Sequence, residues 1–333
     1  MQGRIVELTV ESAALAGNPL GDPARRLVLV YLPAAHGSAP LPAVTFLHGF
    51  AGTARGWTNP SVFAPTAPER LDALVAAGAI APVVGVFPDG MTALGGTQWT
   101  NAPAVGRYQD YVADDVVRAV EGTFGTIARP EARAVVGKSS GGYGALRLGH
   151  DRPDVFALVG CHAGDAYFEY CYGPDLPKAA AGLLGAADAA AWLEGARRKA
   201  VETKLGGGDF VTLNTIAMAA HYSPNPAAPL GLDLPFELPS GRIREEVWAR
   251  WLPHDPVRFV RAGMDAFRRL AGVFIDCGTR DEHELRWGAR MIAETLREAG
   301  VAVEHQEFDD GHTSTSYRYD ASLRWIVARL AKR

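Results

Sequence analysis

The chain has 333 residues, 48% hydrophobic and 21% charged, with a formal net charge of −4. That is apolar chain enough for a substantial core, in one large domain or one domain with a sizeable insertion. The charge balance gives no electrostatic reason to expect nucleic acid or an anionic membrane as partner.

The opening MQGRIVELTV has no apolar core behind a basic head, so it does not read as a secretory signal. Arg4 to Val10 and Arg25 to Pro33 read as two opening strands, plausible as a hairpin. AVTFLHG is a buried strand ending at Gly49, and PERLDALVAAG has helical spacing. The longest nearly apolar run, Ala73 to Phe87, is too short to span a bilayer and is divided by Pro82. It reads as a helix end followed by the strand PVVGVFPDG, and no membrane insertion is expected. YQDYVADDVVRAVEGTF puts Tyr111, Val112, Val116, Val120 and Phe124 near one helical face. ARAVVG is a strand, GALRLGH a helix and DVFALVGCHAG another strand.

Between Gly164 and Ala271 the strand–helix rhythm stops. An Ala-rich helical tract, a Gly/Pro-rich stretch and the helical IREEVWARWLP fill the gap, too long and too apolar for a plain loop. Residues 165–270 therefore read as an inserted helical cap, with 1–164 and 271–333 as the core domain. Its aromatics, among them Tyr167, Phe168, Tyr170, Trp192, Tyr222, Trp248 and Trp251, read mostly as the cap's own small core. Beyond it, GVFIDCG is a strand and EHELRWGARMIAETLREAG a helix stopped by Gly300. VAVEHQEFDDGH is the last strand, and SLRWIVARLAKR closes the chain as a helix. Alternation of apolar strands with helices predicts a mostly parallel sheet of about eight strands, covered on both faces. The three cysteines, Cys161, Cys171 and Cys277, lack metal-type spacing, which predicts reduced thiols in a cytoplasmic protein.

The stretch VVGKSSGGYG, Val135 to Gly144, admits two readings. A phosphate loop needs a glycine five residues before Gly137, where the backbone curls around the anion. That position is Ala132, expected to lie inside a strand, so the nucleotide reading is poor. A nucleophile elbow needs small residues two before and two after a serine on a sharp strand-to-helix turn. Around Ser139 those are Gly137 and Gly141; around Ser140 they would be Lys138 and Gly142, and the lysine would crowd the turn. Ser139 is the candidate nucleophile.

A serine hydroxyl needs a base, and the base needs an orienting group. His312, after the last strand and just behind Gly311, is the candidate base. His36 and His221 read as exposed side chains with no task, and His48 as a structural bend residue. Asp281, in the loop after GVFIDCG, is the candidate acid, although its spacing to Glu284 also resembles a helix-capping box. Asp276 reads as pointing to the sheet or capping it. For the oxyanion, the Ser140 N–H is one expected donor and the Phe50 N–H the other, with Gly52 the weaker candidate.

With these pieces in place the chain resembles the α/β-hydrolase superfamily, and within it the esterase D-like group. That group contains S-formylglutathione hydrolases, feruloyl and acetylxylan esterases, enterochelin-type esterases and mycolyltransferases. LHGFAG, VFPDG, GKSSGGYGAL, DCGTRDEH and DGHTSTSY carry the likeness over most of Leu27–Gly164 and from Gly272 onward. The resemblance implies an α/β-hydrolase fold and carboxylic ester hydrolysis through an acyl-enzyme, on small-to-medium acyl esters. It also implies that Gln98, Trp99 and Asn101 line the substrate pocket, with Trp99 packing under the loop as an equal alternative. The long 165–270 insertion departs from the group's compact members.

An acyltransferase using the same triad, a serine peptidase or amidase, and a non-catalytic binding member of the fold stand as rivals. No metal or organic cofactor is implied, since the histidines are scattered without ligand spacing. A small-molecule ester is the expected partner, and a homo-oligomer is left open.

Overall fold

The computed structural model describes residues 1–331; Lys332 and Arg333, the end of the expected closing helix, lie outside the described residues. Among the described residues, eight strands form one sheet: β1 (Arg4–Glu11), β2 (Arg25–Leu32), β3 (Ala43–Leu47), β4 (Val84–Pro88), β5 (Arg133–Lys138), β6 (Leu158–His162), β7 (Gly272–Gly278) and β8 (Val303–Phe308). Their order is β1-β2-β4-β3-β5-β6-β7-β8. The first two pairings, β1 with β2 and β2 with β4, are antiparallel, and all the others are parallel. This is the α/β-hydrolase fold, with β3, β5, β6 and β7 all ending on the same edge.

The central strands β3, β4, β6 and β7 are buried along their whole length, as a sheet covered on both faces requires. On one face, α1 (Ala67–Ala76) and α11 (Tyr319–Val327) pack Leu71, Leu323 and Ile326 against Phe46, Val136 and Phe274. On the other, α2 (Val117–Phe124), α3 (Ser140–Asp151) and α10 (Leu285–Glu298) cover the larger cluster. The expected helix over 108–124 is present but widens to a π-turn over Tyr111–Val116, which still buries Tyr111, Val112 and Val116. Ala132 sits in a helical turn just before β5 rather than inside the strand. The whole of β5 still separates it from Ser139, so no phosphate loop forms.

Between β6 and β7 the chain runs through α4 (Leu176–Gly182), α5 (Ala189–Glu202), α6 (Gly207–Tyr222), α7 (Glu245–Trp251), α8 (Pro256–Ala262) and α9 (Met264–Arg268). The aromatics here do not form a separate core. Tyr143 of α3 meets Tyr222 at 5.9 Å, Phe259 at 6.2 Å and Phe168 at 6.4 Å between ring centroids, and its hydroxyl donates to the His254 carbonyl at 3.0 Å. Trp251 then meets Tyr222 at 5.4 Å. The insertion is therefore fastened to α3, the helix that follows the elbow, by contacts worth about 0.5–1.5 kcal/mol each beyond their burial. Of its large aromatics only Tyr170 and Phe210 are well exposed. No described helix is long and apolar enough to cross a membrane.

Candidate active site

The turn from β5 into α3 holds Ser139 at φ 57° and ψ −127°, a left-handed backbone that a residue with a Cβ adopts only under constraint. Two glycines make the constraint. A Cβ on Gly141 would run into the Leu47 carbonyl, and one on Gly137 into the Gly141 carbonyl. The turn can be this tight only because neither has a side chain. The Ser139 N–H donates to the His162 carbonyl at 3.0 Å, and its own carbonyl accepts from the Tyr143 N–H at 2.9 Å.

The loop after β3 leans on this elbow. A Cβ on Gly49 would stand 3.3 Å from Ser139 Cβ and 3.9 Å from its Oγ. The next residue, Phe50, presents its ring to Phe210 of α6 at 5.5 Å, while the Ala51 N–H donates to the Gly95 carbonyl at 2.9 Å. Among the described residues, neither the Phe50 nor the Ser140 N–H has an acceptor. His48 holds the bend, with Nδ1 on the Gly49 carbonyl and Nε2 accepting the Gly90 N–H, both at 2.9 Å.

The loops after β7 and β8 bring the other two residues together. Asp281 Oδ2 meets His312 Nδ1 at 2.8 Å, and Asp281 Oδ1 accepts the His283 N–H at 2.9 Å. One carboxylate thus serves the ring and the turn into α10. Burial alone would push the Asp281 carboxyl up, but the hydrogen bond and charge of His312 outweigh it and hold the acid below its usual range. The His312 loop is fixed in turn by its own N–H, which donates to Glu282 Oε2 at 2.7 Å. His283, which the sequence reading passed over, stacks edge-on to His312 at 4.8 Å.

Ser139, Ser140, Phe50 and His312 line one cavity of about 390 Å³, with Lys138 and His283. The insertion completes its wall with Cys171, Tyr172, Asp175, Phe210, Val211 and Asn214. In this structure the Ser139 hydroxyl has Asp165 Oδ1 as partner, at 3.5 Å, and makes no hydrogen bond to His312. Burial draws the Lys138 ammonium down, against the pull of Asp281, Glu282, Asp276 and Asp310. Left-handed backbone recurs at Ala51, Glu284 and Ser314, each next in sequence to a residue of the cavity wall, as strain does at functional sites.

The other expected pocket residues are placed differently. Gln98 is fully buried and donates through Nε2 to Ser140 Oγ at 2.9 Å and Asp165 Oδ2 at 3.1 Å. Trp99 is also fully buried, packs on His48 and donates to the His48 carbonyl at 3.0 Å, so it lies under the loop and not on the cavity wall. Asn101 is exposed on a short hairpin and accepts the Asp110 N–H at 3.2 Å. His221 is not the exposed side chain its sequence suggested. It is buried between Thr100 and the Gln98 N–H, and burial, then the charge of His254, pushes it down to about 3. Asp165 and Tyr172 are among the wall residues that sequence reasoning missed; the position of Asp165, just past the end of β6, was the available signal.

A second Ser–His–Asp chain lies beneath the first. His162 Nδ1 meets Asp276 Oδ1 at 2.7 Å, and His162 Nε2 meets Ser322 Oγ at 2.8 Å. Arg318 Nε donates to the other Asp276 oxygen at 2.9 Å. Ser322, His162 and Asp276 are all buried, and the His162 ring is covered by Tyr319 and Phe274. No group of three His, Cys, Asp or Glu residues that could hold a metal ion is found among the described residues.

The family model described as "Putative esterase" matches residues 23–330. No curated protein sequence matches the chain. Among solved structures, a ferulic acid esterase superposes with a TM-score of 0.61 at 18% identity, over 99% of each chain. An S-formylglutathione hydrolase from Agrobacterium tumefaciens gives 0.60 at 18% identity, covering 99% of this chain and 96% of that one. A fluorophosphonate-binding serine hydrolase of Staphylococcus aureus gives 0.59 at 13% identity, over 98% of each. At such identities the likeness carries the fold.

Proposed function

This chain belongs to the esterase family and is an esterase of the α/β-hydrolase fold, and from that premise we propose that it cleaves small-to-medium acyl esters through a covalent acyl-enzyme on Ser139. The observation that carries the reading is the 2.8 Å Asp281–His312 pair, whose histidine stands on the same cavity wall as a serine held in strained backbone. A cavity of about 390 Å³ is in the range of small-ligand sites.

In the first half-reaction the Ser139 hydroxyl turns from Asp165 toward His312. Its oxygen bonds to the ester carbonyl carbon as the proton passes to His312 Nε2. Negative charge builds on the carbonyl oxygen, and the Phe50 and Ser140 N–H groups take it. Collapse breaks the bond to the alcohol oxygen, which leaves with the proton from His312. Water then repeats the sequence on the acyl-enzyme, with His312 as base, and releases the acid. Asp281 holds the ring so that Nδ1 carries the proton and Nε2 is free to accept one.

The test is a series of aryl esters of graded acyl length, measured on the wild type and on Ser139→Ala. The reading expects turnover to fall by about 10⁶. A loss under tenfold would place the nucleophile elsewhere.

A further inference from the structure

Asp165 is only 6% exposed, yet it stands on the cavity wall beside the nucleophile. Its Oδ2 accepts from the Tyr172 hydroxyl at 2.8 Å, Gln98 Nε2 at 3.1 Å and Ser140 Oγ at 3.3 Å. Among the described residues, Oδ1 has only the long 3.5 Å contact from Ser139 Oγ. All four donors are neutral, and burial together with Asp165 itself pushes the Tyr172 phenol well up, so it stays a donor. Among the described residues no lysine, arginine or histidine forms an ion pair with Asp165.

Two neighbouring acids have cationic partners of their own. Asp175 has Lys178 Nζ at 2.8 Å, and Asp281 has His312. Lys138 stands on the same wall but forms no ion pair with Asp165, and the acids that pull on it most are Asp281, Glu282, Asp276 and Asp310. A carboxylate drawn out of water without a counter-ion is unfavourable, and a cationic group on a ligand would offset that cost. Gln98, whose Nε2 donates to Asp165, is fully buried behind this carboxylate and does not itself line the cavity.

We propose that this site selects α-aminoacyl esters, with Asp165 taking the substrate's α-ammonium. The reach fits. The acyl carbon bonds to Ser139 Oγ, the α-nitrogen lies two bonds further on, and Asp165 Oδ1 is 3.5 Å from that Oγ. The proposal rests on the esterase reading above and names its substrate class.

The test compares p-nitrophenyl L-alaninate with p-nitrophenyl isobutyrate, in which a methyl replaces the ammonium, each corrected for spontaneous hydrolysis at the same pH. A charge-assisted hydrogen bond of ordinary strength gives the alaninate an advantage in kcat/KM of about 10- to 100-fold. Asp165→Asn should cut that ratio at least tenfold, whereas a merely structural aspartate would lower both esters together. A second measurement needs only the wild type. L-Alaninamide should inhibit isobutyrate hydrolysis at least about tenfold more tightly than isobutyramide does. Equal rates for the two esters, equal inhibition, or an unchanged ratio in Asp165→Asn overturns the ammonium assignment alone. Failure of the wild type to hydrolyse either ester in a Ser139-dependent way overturns the esterase reading instead.

Discussion

Ser139 and His312 stand at the wall of a cavity, with Asp281 buried behind the ring, whereas Ser322, His162 and Asp276 all stand in the packed interior between α11 and the sheet. By residue type the two chains are the same, and the buried one has the tighter contacts, 2.8 Å from serine to ring and 2.7 Å from ring to acid. The surroundings differ. Ser322 sits within a regular helix and donates to the Tyr319 carbonyl at 3.2 Å, its hydroxyl spent on backbone. Ser139 sits on a left-handed turn beside two N–H groups that have no acceptor. A Ser–His–Asp pattern becomes a reaction centre through strain, exposure and oxyanion donors, and without them it is a hydrogen-bonded strut.

The contrast breaks most visibly on the serines. Ser139→Ala should remove about 10⁶ of turnover, while Ser322→Ala leaves kcat within a few-fold in the same assay. A comparable loss from both would mean that the two chains are coupled. The acids give the next largest separation. Asp281→Asn should cost about 10⁴ in kcat by freeing the wrong tautomer of His312. Asp276→Asn should instead cost about 3–5 kcal/mol of stability by stranding Arg318 and His162, read by urea denaturation.

How much of this the sequence reveals depends on how local each feature is. The elbow is legible because Gly137 and Gly141 must both be bare within five residues of chain. Asp281 and His312 are legible because each follows a strand that reads clearly as one. The buried chain is not, since its members meet across 114 and 160 residues and nothing local to any of them marks the meeting. Asp165 escapes for a similar reason, with partners at 98, 140 and 172. Helix α6 escapes differently. It opens on glycines, and Thr215 to Tyr222 are buried all round, so no apolar stripe announces it. Yet it supplies Phe210, Val211 and Asn214 to the cavity. Trp99 shows the converse, a tryptophan near the site by sequence that serves only to brace the His48 bend.

Two smaller effects sharpen the comparison. Acid should weaken the packing around the cavity as well as the chemistry. Burial first, then neighbouring charge, sends His221 down to about 3 and His254 to about 4, against an unfolded value near 6.5. Between those limits the unfolded chain binds more protons, so stability is complete above about pH 6.5 and falls as pH drops below it. The loss should be on the order of 2 kcal/mol per histidine by pH 5, seen as a lower urea midpoint. His221→Gln should flatten that dependence, and an unchanged slope would assign it elsewhere. Smallest of all, Ser322→Ala should cost about 1 kcal/mol, the worth of one buried hydrogen bond.

Reaction of the wild type with a fluorophosphonate, followed by peptide mass spectrometry, reaches the central claim most directly. One adduct on the peptide carrying Ser139, none on the peptide carrying Ser322, and no adduct at all in Ser139→Ala or after His312→Ala is the expected result. An adduct on another serine, or undiminished labelling without His312, would contradict it.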